Sequence, residues 1–198
     1  SFRCVRTMAH ELGHAYHARC LDAVPLLLRD APTPICETAS LMNETVFLQK
    51  SLERMAPPQQ FALLESDLQE STQTVLDIYS RFLFEKDAFA ARRDHALLSD
   101  ELCALMTAAQ RRVYADALDP QQMHPYMWMC KVHYYIPEFH YYNYPYIFGL
   151  LFSKGLYARY LDTPRGFAEK YRALLAETCS GSLEQIAAAA DIDIRERG

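Results

Sequence analysis

The sequence contains little of what β-strands, membrane spans or a nucleic-acid surface require. The alternation of apolar and polar residues that is typical of strands is scarce, and glycine, which is common in the turns between strands, occurs only 6 times in 198 residues. No apolar run approaches the length of a transmembrane helix, and no secretory signal is visible at the N-terminus. The formal net charge of −5 provides no basic surface. These absences predict a helical protein whose partners include neither nucleic acid nor a membrane.

Closely spaced cysteine pairs are also lacking. The 6 cysteines are scattered, with no C-x-x-C pair, and a chain that is 51% hydrophobic can build a core without disulfides. We therefore predict reduced, mostly buried thiols, and we predict a cytoplasmic location. Cys36 precedes Glu37, which is considered below as a metal ligand. Adjacent helix positions face about 100° apart, which disfavours binding of one ion by both side chains.

What the chain does contain is the pattern H-E-x-x-H, at His10, Glu11 and His14. Histidines four residues apart lie one turn apart on one helix face, so both imidazoles can reach a single metal ion. Glu11 follows the first histidine and can take a proton from a metal-bound water molecule. The pattern is typical of the helix that holds catalytic zinc in peptidases.

A second helix offers a third ligand. Catalytic zinc takes three protein ligands and keeps one position open for water. Thr33 is a suitable N-cap and Pro34 a suitable first helical residue, and the helix that follows places Glu37 and Glu44 two turns apart on one face, opposite an apolar stripe. The alternative class of zinc peptidase requires a third histidine where this chain has Cys20, so that class is excluded.

At these residues the chain resembles the oligoendopeptidase F and thimet oligopeptidase family of zinc metallopeptidases. Members carry H-E-[LF]-G-H-x-x-H, followed by an E-x-x-S-x-x-x-E block, and residues 10–17 and 37–44 match both patterns. The resemblance implies that His10, His14 and Glu37 bind one Zn²⁺ ion per chain. It also implies an all-α fold, a helical bundle that forms the metal-binding half of a zincin-type oligopeptidase catalytic domain.

The resemblance also suggests roles for the neighbouring residues. Glu11 matches the general base, and Glu44 matches a second acidic position, where we expect it to orient a ligand histidine. His17 lies three residues after His14. We predict that His17 packs or supports the ligands rather than binding zinc, because a third histidine would fill the position that water needs.

A tyrosine-rich block over residues 131–149 resembles a similar run in the oligoendopeptidase F branch. In the family, a histidine and one or two tyrosines near this point bind the substrate backbone and stabilise the oxyanion. His133 and Tyr142 match the histidine and the first tyrosine by spacing. The second tyrosine falls on a proline, so Tyr144 or Tyr146 must replace it, and we prefer Tyr146.

Each of these assignments has an alternative. His140 can replace His133 as the oxyanion group, although spacing favours His133. Tyrosines also pack well with a polar tip exposed, so we predict that most of the block is structural.

Helical periodicity and breakers predict the remaining organisation. Residues 26–29 fit either a short helix or an edge strand, and Arg81 and Glu85 are predicted to form a solvated ion pair on a long helix. Residues 125–146 are predicted to be irregular. The helices are predicted at residues 2–21, 34–55, 59–91, 99–118, 148–161 and 164–178, and after a cap at Ser182.

Family members are several hundred residues long, and their H-E-x-x-H lies in the C-terminal half. We therefore expect residues 1–198 to form a single helical catalytic subdomain, the C-terminal part of a longer enzyme whose missing N-terminal part is its partner. The resemblance implies an endopeptidase that admits oligopeptide substrates to an enclosed channel. The alternatives are an end-cutting carboxypeptidase of the same class and an inactive zinc-binding fragment.

Overall fold

The computed structural model describes residues 2–195, and every regular element in that range is helical. The all-α prediction is confirmed. None of these helices is both long and apolar enough to cross a membrane. The α-helices are α1 (Phe2–Cys20), α2 (Thr33–Leu52), α3 (Pro57–Ala91), α4 (Ser99–Tyr114), α5 (Tyr144–Asp162), α6 (Phe167–Ala176) and α7 (Leu183–Ala189). Short 3-10 helices form at Leu26–Leu28, Ala115–Ala117, Pro120–Gln122, Met127–Cys130 and Val132–Tyr135.

Prolines explain where three helices begin earlier than predicted. Pro32 occupies the N-cap of α2, so Thr33 is the first helical residue rather than the cap. α3 begins at Pro57, and α5 begins at Tyr144 with Pro145 in its first turn. The N–H groups of a first turn have no partner within the helix, so a proline there removes no hydrogen bond. These prolines start helices instead of breaking them.

The two C-terminal helices have different starts. α6 begins later than predicted, because the chain turns at Gly166, whose φ of 77° lies in the left-handed region. α7 begins after Ser182, as predicted. The Ser182 hydroxyl accepts from the Gln185 N–H, and the Gln185 side chain accepts from the Ser182 N–H at 2.8 Å. This reciprocal pair satisfies two N–H groups that the helix leaves free.

The chain divides into two compact units. The first comprises Ser1–Glu65 and Phe148–Gly198, and the second comprises Ser66–Ile147. α3 and α5 each contribute residues to both. The assignment of residues 1–198 to a single catalytic subdomain stays a prediction.

In the first unit, one face of α2 forms the centre of the core. Ile35, Ala39 and Met42 recur at helical spacing and are almost completely buried. The residues that join them in the core are Cys20, Phe152, Leu156, Tyr171, Leu174, Leu175, Ile186 and Ala187. Burial of this face fixes the rotation of α2, so its acidic positions face elsewhere.

α1 and α2 meet at Gly13 with their backbones in contact. A Cβ atom at Gly13 would lie 2.5 Å from the Ala39 carbonyl oxygen and 2.5 Å from the Ser40 Cα. Both neighbours are backbone atoms and cannot rotate away as a side chain can. Gly13 is therefore required by the close approach of the two helices.

We expect Gly13→Ala to lower the free energy of unfolding by about 1–3 kcal/mol, because the added methyl overpacks the contact between α1 and α2. At an exposed helix position, replacing glycine with alanine would instead raise the free energy of unfolding by about 1 kcal/mol. A decrease would therefore report the close contact between the two helices. Chemical denaturation measures it. The matched control is Gly155→Ala on α5, where the nearest atom is the flexible Ile192 Cδ1 at 3.1 Å. A Gly13→Ala variant at least as stable as wild type would contradict the contact.

The second unit has a separate core, formed by α3 and α4. Leu83, Phe84, Met106 and Ala109 are buried at its centre. Trp128 and Tyr134, from the 3-10 helices that follow α4, pack against it. The region predicted to be irregular therefore contains short helical turns that rest on the α3–α4 core.

The predicted ion pair between Arg81 and Glu85 on α3 is wrong in its partners and in its exposure. Arg81 pairs with Asp77, with 2.8 Å between Nη2 and Oδ2. Glu85 accepts a hydrogen bond from the Tyr141 N–H at 2.9 Å. Arg81 and Glu85 are each only 7% exposed. Asp77 and Glu85 both lie four residues from Arg81, so helical spacing alone does not choose between them.

None of the six cysteines, all of which lie in the described part of the chain, forms a disulfide, as predicted. The prediction that they are mostly buried is wrong. Cys20 is buried, Cys4 and Cys130 are exposed, and the other three have intermediate exposure.

Candidate metal centre

α1 and α2 bring the three predicted zinc ligands together. His10 Nε2 lies 3.2 Å from His14 Nε2 and 3.5 Å from Glu37 Oε2, and His14 Nε2 lies 3.7 Å from the same carboxylate oxygen. Two ligand atoms that each lie about 2.1 Å from a tetrahedral zinc ion are about 3.4 Å apart. The three side chains therefore have the atom types and the spacing that a single zinc ion needs. Among the described residues they form the one cluster of this kind.

A chain of hydrogen bonds behind His10 fixes the orientation of its ring. Its Nδ1 lies 2.6 Å from Glu44 Oε1, and Arg6 donates from Nε to the other oxygen of the same carboxylate. An imidazole whose Nδ1–H donates to a carboxylate keeps the Nε2 lone pair free for a metal. Glu44 thus contacts His10, one of the two predicted ligand histidines, in the position expected for it.

The ionisation of this pair follows from the same contacts. The hydrogen bond to Glu44 raises the pKa of His10, against burial, which acts to lower it. Burial acts to raise the pKa of Glu44, but the hydrogen bonds from His10 and Arg6 outweigh it and lower the pKa. The Glu44 carboxylate is therefore held in its charged form, in which it can accept both bonds.

The Glu37 side chain is confined on two sides. Ser40 Oγ lies 3.1 Å from Glu37 Oε2 and 2.9 Å from the Glu37 carbonyl oxygen. On α5, a Cβ atom at Gly149 would lie 2.9 Å from the Glu37 Cβ. Because Gly149 has no side chain, the Glu37 side chain can pack directly against α5. The sequence analysis assigns no role to Gly149 or to Arg6.

Glu11 is exposed beside the cluster. Its carboxylate is near enough to His10 to contribute, after Glu44 and Glu37, to the raised pKa of that histidine. Glu11 is not part of the three-residue ligand cluster. Its role as general base stays a prediction.

His17 is buried in the first unit and is not part of the ligand cluster. Its Nε2 is 2.8 Å from Thr178 Oγ1, and the Thr178 hydroxyl donates to the Leu175 carbonyl at 2.9 Å. Because the hydroxyl proton is used in that bond, His17 must donate its Nε2–H to Thr178. Burial lowers the pKa of His17, which favours this neutral form. His17 ties the end of α1 to the segment after α6.

The sequence model that describes peptidase family M3 matches residues 1–195 of the chain. The chain belongs to peptidase family M3. This membership confirms the resemblance deduced from the two motifs. Among curated proteins, none matches the chain in sequence.

The fold of this M3 family chain is similar to that of oligoendopeptidase-F from Enterococcus faecium, with a TM-score of 0.77 and 20% sequence identity. The match covers 98% of this chain and 35% of the other. The likeness concerns the fold alone. The chain spans about a third of the length of that oligoendopeptidase.

In this M3 chain, the tyrosine-rich block gathers the three candidate oxyanion residues within the second unit. The His133 ring centroid is 5.7 Å from that of Tyr142, and Tyr142 is 6.3 Å from Tyr146. Burial, followed by the nearby cations Arg81 and Lys131, lowers the pKa of His133.

The two alternative residues lie differently. His140 is exposed, and its ring meets Phe89 of α3 edge-on at 5.4 Å. Tyr144 is 44% exposed at the start of α5. Tyr142 has ring contacts with both His133 and Tyr146, and the choice of Tyr146 stays a prediction.

Proposed function

We propose that this chain is the metal-binding part of a zinc-dependent endopeptidase that hydrolyses peptide bonds in oligopeptides. The observation that carries the proposal is the spacing of His10 Nε2, His14 Nε2 and Glu37 Oε2, which matches a tetrahedral zinc site. Membership of peptidase family M3 supports the same chemistry.

Glu11 is the proposed general base. His10, His14 and Glu37 would hold a zinc ion, which would lower the pKa of a bound water molecule and polarise the scissile carbonyl. Glu11 accepts the proton of the attacking water and then passes it to the nitrogen of the leaving amine. Its exposure beside His10 and its absence from the ligand cluster suit that exchange.

His133, Tyr142 and Tyr146 are the proposed oxyanion group. Their N–H and O–H groups would donate hydrogen bonds to the carbonyl oxygen as it becomes negative during attack. The family resemblance supports these roles. His133 and Tyr146 both contact Tyr142, which supports the proposal that the three residues act on the same oxygen.

Glu44 is the proposed orienting partner of His10, and we expect Glu44→Ala to weaken zinc binding about 10–100-fold. Without the carboxylate, the imidazole loses the bond that fixes its rotation and its tautomer. Competition with a fluorescent zinc chelator measures the affinity. The matched control is Glu53→Ala, which removes an exposed carboxylate that pairs with Lys50 at the end of α2. Equal zinc affinity in the two variants would contradict the role of Glu44.

The chain covers 35% of the oligoendopeptidase it matches, which favours a second candidate function, a zinc-binding fragment with no activity of its own. We propose that the intact enzyme has a further N-terminal part, which completes the site, and that it acts in the cytoplasm on oligopeptides.

A zinc titration and a quenched-peptide assay test the proposal. Both are run on this chain and on the intact enzyme. Activity in the intact enzyme but not in this chain would show that the chain is a zinc-binding fragment with no activity of its own. Products cut only at a peptide terminus, identified by mass spectrometry, would indicate a carboxypeptidase. A zinc-loaded intact enzyme that cleaves no peptide would contradict the proposed function.

A further inference from the structure

Two side chains of α3 bind the residues on either side of Tyr142, one through the backbone of Tyr141 and the other through the side chain of Asn143. Glu85 Oε1 accepts a hydrogen bond from the Tyr141 N–H at 2.9 Å. Arg81 donates from Nη1 to Asn143 Oδ1 at 2.5 Å. The residues immediately before and after Tyr142 are therefore both fixed to the same helix of the second unit.

Both of these α3 side chains are charged groups in a buried environment. Arg81 and Glu85 are each 7% exposed, and Asp77 compensates the Arg81 charge through its carboxylate. Charged groups lose hydration when they are buried, and apolar residues of similar volume would avoid that loss. Here the bonds of both groups end on the segment that carries Tyr142.

The backbone at Tyr141 gives an independent indication. Its φ of 53° lies in the left-handed region, which is unfavourable for a bulky residue. Such a conformation persists only where its surroundings impose it. Besides the bond to Glu85, the Tyr141 ring packs against Phe82 at 5.0 Å and Phe89 at 5.8 Å, both on α3.

This turn determines the direction of the next side chain. With Tyr141 and Asn143 fixed, the Tyr142 ring lies between Phe139, at 5.0 Å, and His133, at 5.7 Å. We propose that Glu85 and Arg81 are positioning residues for Tyr142, which hold its hydroxyl in the direction needed to donate to the substrate carbonyl. This inference rests on the proposed function.

A double-mutant cycle in the intact, zinc-loaded enzyme tests the proposal. The variants are Glu85→Ala and Asn143→Ala, each made with Tyr142 and with Tyr142→Phe. If Glu85→Ala fails to fold, Asn143→Ala still removes one of the two contacts and keeps both buried charges. Misplacing a reacting group by about 1 Å can cost about 100-fold in rate, so we expect each single variant to lower kcat roughly 10–100-fold with little change in KM.

If the two residues act through Tyr142, the losses will not add. In the Tyr142→Phe background, Glu85→Ala and Asn143→Ala are expected to lower kcat by less than about 2-fold, because the hydroxyl they position is already absent. Glu85→Gln keeps an oxygen that can accept the Tyr141 N–H, so it should restore most of kcat. The matched control is Asp87→Ala on α3, which breaks an exposed ion pair with Arg112 of α4 and should leave kcat unchanged.

Hydrogen exchange of the Tyr141 amide supplies a readout that does not depend on activity. We expect faster exchange in Glu85→Ala and unchanged exchange in Asp87→Ala. Unchanged exchange in Glu85→Ala, or equal losses of kcat with and without the Tyr142 hydroxyl, would overturn the positioning role alone. A wild-type enzyme that binds zinc and cleaves no peptide would overturn the proposed function and the role of Tyr142 with it.

Discussion

Glu11→Gln is expected to retain zinc and to lose peptide hydrolysis in the intact enzyme. Glutamine has nearly the same size and shape, but its amide cannot accept a proton from the attacking water. General acid–base catalysis by a positioned side chain contributes about 10²–10⁴-fold, so kcat should fall by that factor. Zinc affinity should change little because Glu11 is not one of the clustered ligands.

Steady-state kinetics and a metal titration on the same preparation measure both quantities. Glu65→Gln is the matched control, since it makes the same chemical change at an exposed position on α3. Normal turnover by Glu11→Gln would remove Glu11 from the mechanism. Loss of zinc together with activity would show instead that Glu11 supports the metal site.

The second large effect is expected from Glu37→Ala, which should nearly abolish zinc binding. Two imidazoles would remain, and a site with two protein ligands does not hold catalytic zinc against competing chelators. The loss of affinity should exceed the roughly 10–100-fold typical of residues that only orient a ligand. Activity should not return at zinc concentrations that restore a Glu44→Ala variant.

Cys36→Ser is the control for this experiment. The Cys36 thiol lies 3.6 Å from the Ala31 carbonyl oxygen, towards the start of α2, and it is not in the ligand cluster. Zinc affinity should therefore be unchanged. Wild-type affinity in Glu37→Ala, or strong loss in Cys36→Ser, would require a different third ligand.

The candidate metal centre could be predicted because chemistry and helix geometry both restrict it. Only a few residue types bind zinc, and a spacing of four places His10 and His14 on one face. The family pattern then pointed to Glu37 and Glu44. Arg6 gave no such signal, since an arginine near a helix start is common, and its contact with Glu44 arises only when α1 and α2 pack together.

The contacts between α3 and the tyrosine-rich block are harder to predict from the sequence. Spacing on α3 offered Arg81 two acidic partners, Asp77 and Glu85, each four residues away. The choice between them depends on Tyr141 and Asn143, which lie about 60 residues further along the chain. A rule based on spacing along one helix contains no information about such distant contacts, so it cannot choose between Asp77 and Glu85.

The contact at Gly13 has a genetic consequence. Gly13 lies between the two candidate ligand histidines, and the atoms it meets belong to Ala39 and Ser40, just after Glu37. A shift that separates the helices there would lengthen the distances from both imidazoles to the carboxylate at the same time. Inactivating alleles of this protein should therefore include changes at an apolar position that itself binds no metal and no substrate.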